Sequence, residues 1–300
     1  MYRRHATSLN REIVSTTHAE LQQQVARILM PGGFPNPARE AELLIAAVLD
    51  RSPGQLELDR LLGRSLERDQ VDGVLAVASR RARREPLQHL VGSAPFREVE
   101  LAVGPGVFVP RPETELLVEL VYADPAARRT QARIADLGSG SGAIAIGVAM
   151  ALPGAEVVAL EASPFAWPWL QRNLRRHAPH VEARFGDWDA QLAHEHPASF
   201  DVLVSNPPYV PQRAIPADPE VRLFDPETAL YSGGDGLDEI RRIAVAAARL
   251  LRAGGFLVVE HTEQQGAAIR EILAGSGLVD TTTHPDLTGR DRFTSARQRG

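Results

Sequence analysis

Cysteine, lysine and long apolar runs are all missing from this 300-residue sequence. Without cysteine the chain can build neither a disulfide framework nor a thiolate metal site, which fits a reducing compartment. No apolar run approaches the roughly 18 residues that a membrane-spanning helix needs. The segment Met1-Tyr2-Arg3-Arg4-His5 is basic, but no apolar stretch follows it as in a secretory signal. A cytoplasmic protein without a membrane partner is therefore expected. All 33 cationic side chains other than histidine are arginine, a bias assigned to GC-rich coding. Against 38 acidic residues they leave a formal net charge of −5. Binding along a phosphate backbone needs a concentrated positive face, so no direct nucleic-acid partner is expected. The one basic cluster, Arg80-Arg81-Ala82-Arg83-Arg84, reads as a solvated helix end.

The chain is long enough for one large domain or two modest ones. Residues 1–17 are polar and without periodicity, and read as a disordered lead-in. Over 18–91 apolar residues recur at helical spacing: Leu21, Val25 and Ile28-Leu29, then Leu43-Leu44 and Ala47-Val48, then Val71, Val74-Leu75 and Ala78. Pro31-Gly32-Gly33 and Ser52-Pro53-Gly54 punctuate these runs, so a small helical bundle is expected. Between 92 and 112 the pattern becomes alternating. Val99 to Val103 and Val107 to Val109, around Gly104-Pro105-Gly106, predict a β-hairpin joining the bundle to the rest. From 113 to 300 strand and helix patterns alternate. Strands are predicted at Ile134–Leu137, Val157–Leu160, Val181–Phe185, Asp201–Val204 and Phe256–Val259, with helices between them and two weaker strands at the end. Repeated βα units imply a doubly wound α/β sheet, whose ligands bind at the carboxyl ends of the strands.

Asp136-Leu137-Gly138-Ser139-Gly140-Ser141-Gly142 falls between the first of these strands and its helix. Glycine lets the backbone turn sharply and approach a ligand closely, and the helix behind it aims free N–H groups at the same place. A glycine loop alone also fits dinucleotide enzymes. Here the spacing is G-x-G-x-G, one residue short of the pyrophosphate fingerprint. The preceding Asp136 would repel phosphate but suits the positive amino and sulfonium groups of S-adenosylmethionine. Glu161 ends the next strand, where an acid accepts from ribose hydroxyls or caps the helix start near Ser163-Pro164. Gly186-Asp187-Trp188 follows the third strand, and Trp188 offers adenine an apolar face and a ring N–H. Asp187 suits either the adenine amino group or a turn cap. Trp167 and Trp169 read as packing residues, and Pro168 is expected to kink their helix.

Ser205-Asn206-Pro207-Pro208-Tyr209 comes directly after the fourth strand. Two prolines remove two donors and leave neighbouring carbonyls as acceptors in a rigid frame. Asn206 both donates and accepts, and Tyr209 supplies a flat face. Such a frame can grip a planar H₂N–C=O or H₂N–C=N group: carbonyls accept its N–H protons, the Asn206 amide pairs with its acceptor atom, and the ring stacks on it. An amide nitrogen is a poor nucleophile, so positioning and electrostatics are expected to outweigh general-base catalysis. By itself the tetrad specifies only a planar nitrogen and leaves a base or an amide open.

With these motifs the chain resembles the HemK/PrmC family, whose members methylate the glutamine of the Gly-Gly-Gln motif in bacterial class 1 peptide chain release factors. The resemblance runs from about Leu21 to Arg297. It includes Glu85-Pro86-Leu87-Gln88-His89-Leu90-Val91-Gly92 and Phe108-Val109-Pro110-Arg111-Pro112-Glu113-Thr114-Glu115. It also includes Glu227-Thr228-Ala229-Leu230, Gly233-Gly234-Asp235-Gly236-Leu237 and Gly289-Arg290-Asp291-Arg292-Phe293. It implies a Rossmann-like class I methyltransferase sheet behind a helical-bundle domain that helps to grip the release factor, in a monomeric enzyme. By the same resemblance Gly138, Ser139, Gly140, Ser141, Gly142, Glu161, Trp188 and Asn206 bind S-adenosylmethionine, while Asn206, Pro207, Pro208 and Tyr209 hold the glutamine amide and carry catalysis. Family members more often have Asp where this chain has Glu161, and Tyr where it has His89. The rival expectations are a glutamine methyltransferase of a ribosomal protein, an adenine-N6 DNA or RNA methyltransferase, and a non-catalytic cofactor-binding scaffold.

Overall fold

The structure is a computed structural model and describes residues 16–300, so the expectation for residues 1–15 lies outside the described residues. The chain divides into two compact units, one running to Val91 and the other from Gly92.

In the first unit a short strand β1 (Thr16–Thr17) pairs with β2 (Ser65–Leu66). Thr16 and Thr17 are thus ordered, unlike the disordered lead-in expected through residue 17. Thr17 also closes a capping box with Glu20 at the start of α1 (His18–Leu29), each side chain satisfying the other's backbone N–H. Then follow α2 (Pro37–Leu49), α3 (Pro53–Leu61), α4 (Arg68–Ala82) and α5 (Leu87–Val91). Pro37 and Pro53 each open their helix, where a missing N–H costs nothing. The helical spacing seen in the sequence buries Leu21, Val25 and Leu29 against Leu44, Ile45, Val74 and Ala78.

The arginine cluster at the end of α4 is a solvated helix end only at Arg80 and Arg83, which are exposed. Arg81 is only 4 % exposed and grips Glu40 with two hydrogen bonds, at 2.6 and 3.1 Å. Its third branch donates to the Glu85 carbonyl, and its guanidinium lies 4.1 Å from the centre of the Phe34 ring. Arg84 covers the same ring and donates to the Gly32 carbonyl. A planar guanidinium can stack and fork at once, so Arg81 and Arg84 together clamp the 30–34 turn.

The second unit opens with a hairpin of β3 (Ser93–Phe96) and β4 (Val99–Ala102). This corrects the hairpin expected around Gly104-Pro105-Gly106. The chain reverses at Arg97, which takes a positive φ, and Val107 to Val109 form no strand. Val107 and Val109 are buried instead in a small cluster with Ala94, Val103 and Ala166.

The βα succession is α6 (Glu115–Ala123), β5 (Arg133–Leu137), α7 (Ala143–Ala151), β6 (Glu156–Glu161), α8 (Trp167–His177), β7 (Glu182–Phe185), α9 (Trp188–Leu192) and β8 (Phe200–Ser205). It continues through α10 (Pro219–Phe224), α11 (Glu227–Leu230), α12 (Asp238–Leu250), β9 (Leu251–Glu260), α13 (Gly266–Gly275), β10 (Val279–Pro285) and β11 (Asp291–Arg297). Seven strands form one sheet in the order β10-β11-β9-β8-β5-β6-β7. The five from β9 to β7 are parallel, and β10 and β11 add an antiparallel edge. Strand side chains alternate between two cores, as the period of two demands. Val157, Ala159, Val202 and Val204 face α6, α7 and α8. Val158, Leu160, Leu203 and Leu257 face α12 and α13. Pro168 occupies the first turn of α8, so it removes no helical hydrogen bond and the expected kink does not arise.

Replacing Arg81 by Ala should strand Glu40 in a largely buried site and lower stability by on the order of 3 kcal/mol in urea denaturation. Arg68→Ala, at an exposed ion pair, should cost less than about 0.5 kcal/mol. Equal losses at the two sites would mean that the cluster is solvated after all.

Candidate active site

The order of strands reverses at β5, which lies between β6 and β8. Loops leaving the carboxyl ends of these neighbours diverge there and leave a crevice. The crevice is a cavity of about 590 Å³, lined by the glycine loop, Glu161, the Gly186–Trp188 turn and the whole Asn206–Tyr209 tetrad. That volume falls in the roughly 300–1,000 Å³ range of small-molecule sites. Among the described residues no cluster of His, Asp and Glu is arranged to hold a metal ion.

Gly138 and Gly140 take positive φ, and a Cβ on either would meet open space. The loop is fixed from behind: the N–H groups of Gly138 and Ser139 both donate to the Leu160 carbonyl, at 3.0 and 2.8 Å. Gly142 behaves differently. It does not line the cavity, and a Cβ there would stand 2.8 Å from Leu170, so it is a packing glycine at the start of α7. Asp136 is likewise not on the wall. It lies fully buried beneath the loop, where one carboxylate oxygen accepts from the Ala145 N–H at 3.2 Å and the other has no partner among the described residues. Burial, with the Glu161 charge nearby, pushes its carboxyl up to about 7. The direct contact expected between Asp136 and a positive ligand group is therefore not what the geometry offers.

Glu161 is on the wall, and its two oxygens bridge the loop and the next turn. They accept from Gly140 N–H at 2.7 Å and from Ser163 N–H at 2.6 Å. The capping role is thus present, on a residue that also lines the cavity. Burial raises its pKa against these backbone bonds. Trp188 lines the cavity but its ring N–H is already given to Glu239, at 2.5 Å. The Arg242 guanidinium lies 4.8 Å from the ring centre and is held by both oxygens of Asp187. Asp187 also caps α9, so the turn-capping alternative is the observed one. The Trp188 ring is thus part of the wall, but its N–H is spent on Glu239 and not left for a ligand. Trp167 packs on Phe185, and Trp169 packs in the cluster beside the hairpin.

The tetrad is held from three sides. The Ser205 hydroxyl donates to the Leu137 carbonyl at 2.6 Å, joining the end of β8 to the glycine loop. Gln265 donates to the Tyr209 carbonyl at 3.0 Å, and Gly236 lies so close that a Cβ would stand 2.3 Å from that oxygen. Asn206 Nδ2 donates to Thr114 Oγ1 at 3.3 Å, and that hydroxyl donates to Glu260 at 2.8 Å. The amide nitrogen of Asn206 is thus turned into the fold, which leaves Oδ1 as an acceptor. This reverses the pairing expected from the sequence, in which Asn206 met the acceptor atom of its ligand. Burial, then the Glu260 charge, raises the Tyr209 phenol, which stays neutral.

Sequence reasoning did not single out Thr114, Glu260, Glu239, Arg242 or Gln265. Glu260 carried a readable signal, since an acid closing the apolar run Phe256–Val259 repeats the pattern of Glu161 after Val157–Leu160. Thr114 lies in the Phe108–Glu115 motif but was given no role there, while Glu239 and Arg242 come from α12 and Gln265 from the start of α13, and nothing in their local sequence marks them.

A parallel sheet with a glycine loop, a strand-end acid and an Asn-Pro-Pro-Tyr turn around one cavity defines a methyltransferase. The Methyltransferase small domain family matches residues 98–235, and the PrmC N-terminal domain family matches residues 20–92. The release factor glutamine methyltransferase of Corynebacterium glutamicum is 40 % identical over 286 residues, covering 94 % of this chain and 99 % of the relative. That of Streptomyces coelicolor is 42 % identical over 283 residues, covering 93 % and 97 %. Among solved structures, the hMettl16 catalytic domain in complex with an RNA hairpin shares the fold. It aligns at a TM-score of 0.53 and 16 % identity, over 74 % of this chain and 81 % of that one. The chain belongs to the release factor glutamine methyltransferase family.

A buried carboxyl with a raised pKa binds its proton more tightly in the folded state than in the unfolded one. Its contribution therefore falls as pH rises from about 4 towards the folded value. For Asp136 that window ends at about 7. The stability of Asp136→Asn relative to the parent should therefore improve between pH 5 and pH 8 in urea denaturation. A difference that stays constant with pH would place an ionised Asp136 in the unliganded fold.

Proposed function

We propose that the chain transfers a methyl group from S-adenosylmethionine to the side-chain amide nitrogen, N5, of the glutamine in the Gly-Gly-Gln motif of a class 1 peptide chain release factor. The observation that carries this reading is the Asn206 amide, whose nitrogen is anchored inward beside the carbonyls of two successive prolines, at the wall of a cavity that also holds the glycine loop. Family membership supports the protein substrate. Glu161, Gly138, Gly140 and the first turn of α7 fit S-adenosylmethionine in donor chemistry and in the open space where a Cβ would otherwise stand. When bound, that cofactor supplies an electrophilic methyl carbon on a sulfonium.

The chain's own work is to hold an unreactive nitrogen in line with that carbon. Asn206 Oδ1 and the carbonyls of the Pro-Pro turn accept the two N–H protons of the glutamine amide. Charge that builds on those hydrogens as the N–C bond forms is met by acceptors already in place. The Tyr209 ring packs on the flat amide, and its neutral phenol adds no charge. As the N–CH₃ bond forms, the S–CH₃ bond breaks and one N–H proton is released. The helical first unit is assigned to grip the release factor, and the enzyme is assigned to act as a monomer in the cytoplasm.

Labelled S-adenosylmethionine should mark the Gly-Gly-Gln glutamine of purified release factor and leave ribosomal proteins and unmethylated DNA unmarked. Label in DNA, RNA or a ribosomal protein instead would overturn the assignment. Asn206→Ala should cut turnover by at least about 10²-fold, while S-adenosylhomocysteine affinity measured by calorimetry changes little. Parental rates in that variant would remove Asn206 from the substrate grip.

A further inference from the structure

Glu260 closes β9, wholly inside the fold, one strand away from the tetrad. Its carboxylate accepts from the Thr114 hydroxyl, and that same hydroxyl oxygen accepts from the Asn206 amide, so Thr114 stands between the two. A hydroxyl has one hydrogen and an ionised carboxylate has none, so the direction of this chain is forced. Thr114 must spend its hydrogen on Glu260, and its oxygen can then only accept. The Asn206 group facing it must therefore be Nδ2, and Oδ1 must face the other way. The Asn206 amide is also near enough to Glu260 to favour its charged form.

We propose that Glu260 is a positioning residue: through Thr114 it sets which end of the Asn206 amide meets the reacting nitrogen. The proposal rests on the methyl-transfer reading of the site. A protonated Glu260 becomes a donor, Thr114 can then turn its hydrogen towards Asn206, and the amide is free to flip. In the flipped state a donor faces the N–H groups of the substrate, which repels them. Burial pushes Glu260 up to about 7, so the flip is expected around neutral pH. Arg292 on β11 and the Thr114 hydrogen bond pull that value down, and Glu113 in the turn before α6 pushes it up. Tyr209, on the tetrad, is neutral. Glu115, on α6, accepts the Arg97 N–H, and His261, next in the chain, is held by Thr294 and the Thr262 carbonyl.

The test begins with the parent enzyme on release factor, which must turn over for the site reading to stand. In the parent, kcat should rise about tenfold per pH unit below the Glu260 pKa and level off above it. Glu260→Gln and Thr114→Val should each lower kcat at pH 8 by at least about 10-fold, as expected for one mis-set hydrogen-bonding group. KM for both substrates should stay near the parental values. The pH step should vanish in Glu260→Gln, and Thr114→Ser should restore most of the lost rate. An active parent with parental kcat or an unchanged pH step in Glu260→Gln would overturn the proposal and leave the methyl-transfer reading intact. A second measurement needs no variant and no turnover. The Asn206 side-chain ¹⁵N and ¹H resonances of the unliganded parent should titrate with a midpoint near 7, and resonances that do not move between pH 5 and pH 9 would equally overturn it.

Discussion

The placement of β5 between two parallel neighbours is the constraint on which the rest depends. Asp136 pairs with Val204 on one side, and Leu137 pairs with Leu160 on the other. Parallel strands all end at the same edge, so segments far apart in the chain deliver their loops to one place. Both faces of such strands must be apolar, because helices cover both. That is why Val157 to Leu160 and Val202 to Val204 are unbroken apolar runs rather than alternating ones. Polar chemistry is then pushed to the strand ends, where Glu161, Ser205 and Glu260 sit.

These strand-end polar groups lie in a medium that makes unpaired charge expensive and hydrogen bonds strong. Each is consequently tied to something useful. Glu161 holds the glycine loop to the following turn, Ser205 joins the tetrad to that loop, and Glu260 orders Thr114 and through it Asn206. The rigidity a positioning enzyme needs comes from this satisfied network, backed by Gln265 on the Tyr209 carbonyl and Gly236 beneath it. Asp136, with one oxygen unpartnered, is the member of the set that remains incompletely satisfied among the described residues.

Most of the sheet and the cavity wall was legible in the sequence. Strand and helix patterns place β5 to β9 within a few residues, and Gly138, Ser139, Gly140, Ser141, Glu161, Trp188 and the tetrad all line the cavity. Three of the misreadings share a cause, because each needed a partner distant in the chain. Gly142 looks like a loop glycine until Leu170 is seen against it. Arg81 looks like a solvated helix end until Glu40 and Phe34 are placed around it. Trp188 looks like a free donor until Glu239 arrives from α12. The hairpin slipped for a different reason: the turn was read at Gly104-Pro105-Gly106, whereas Arg97, at a positive φ, makes the reversal.

Local sequence determined the kind of protein this is, since periodicity, glycine spacing and a two-proline turn depend on neighbours a few residues away. Tertiary structure alone decided what the functional side chains do. The orientation of the Asn206 amide follows from a hydroxyl 92 residues earlier in the chain and a carboxylate 146 residues beyond that hydroxyl. A hydrogen bond has a direction that composition and spacing do not encode. Only the fold, by bringing those three groups together, chooses which atom of Asn206 is turned inward.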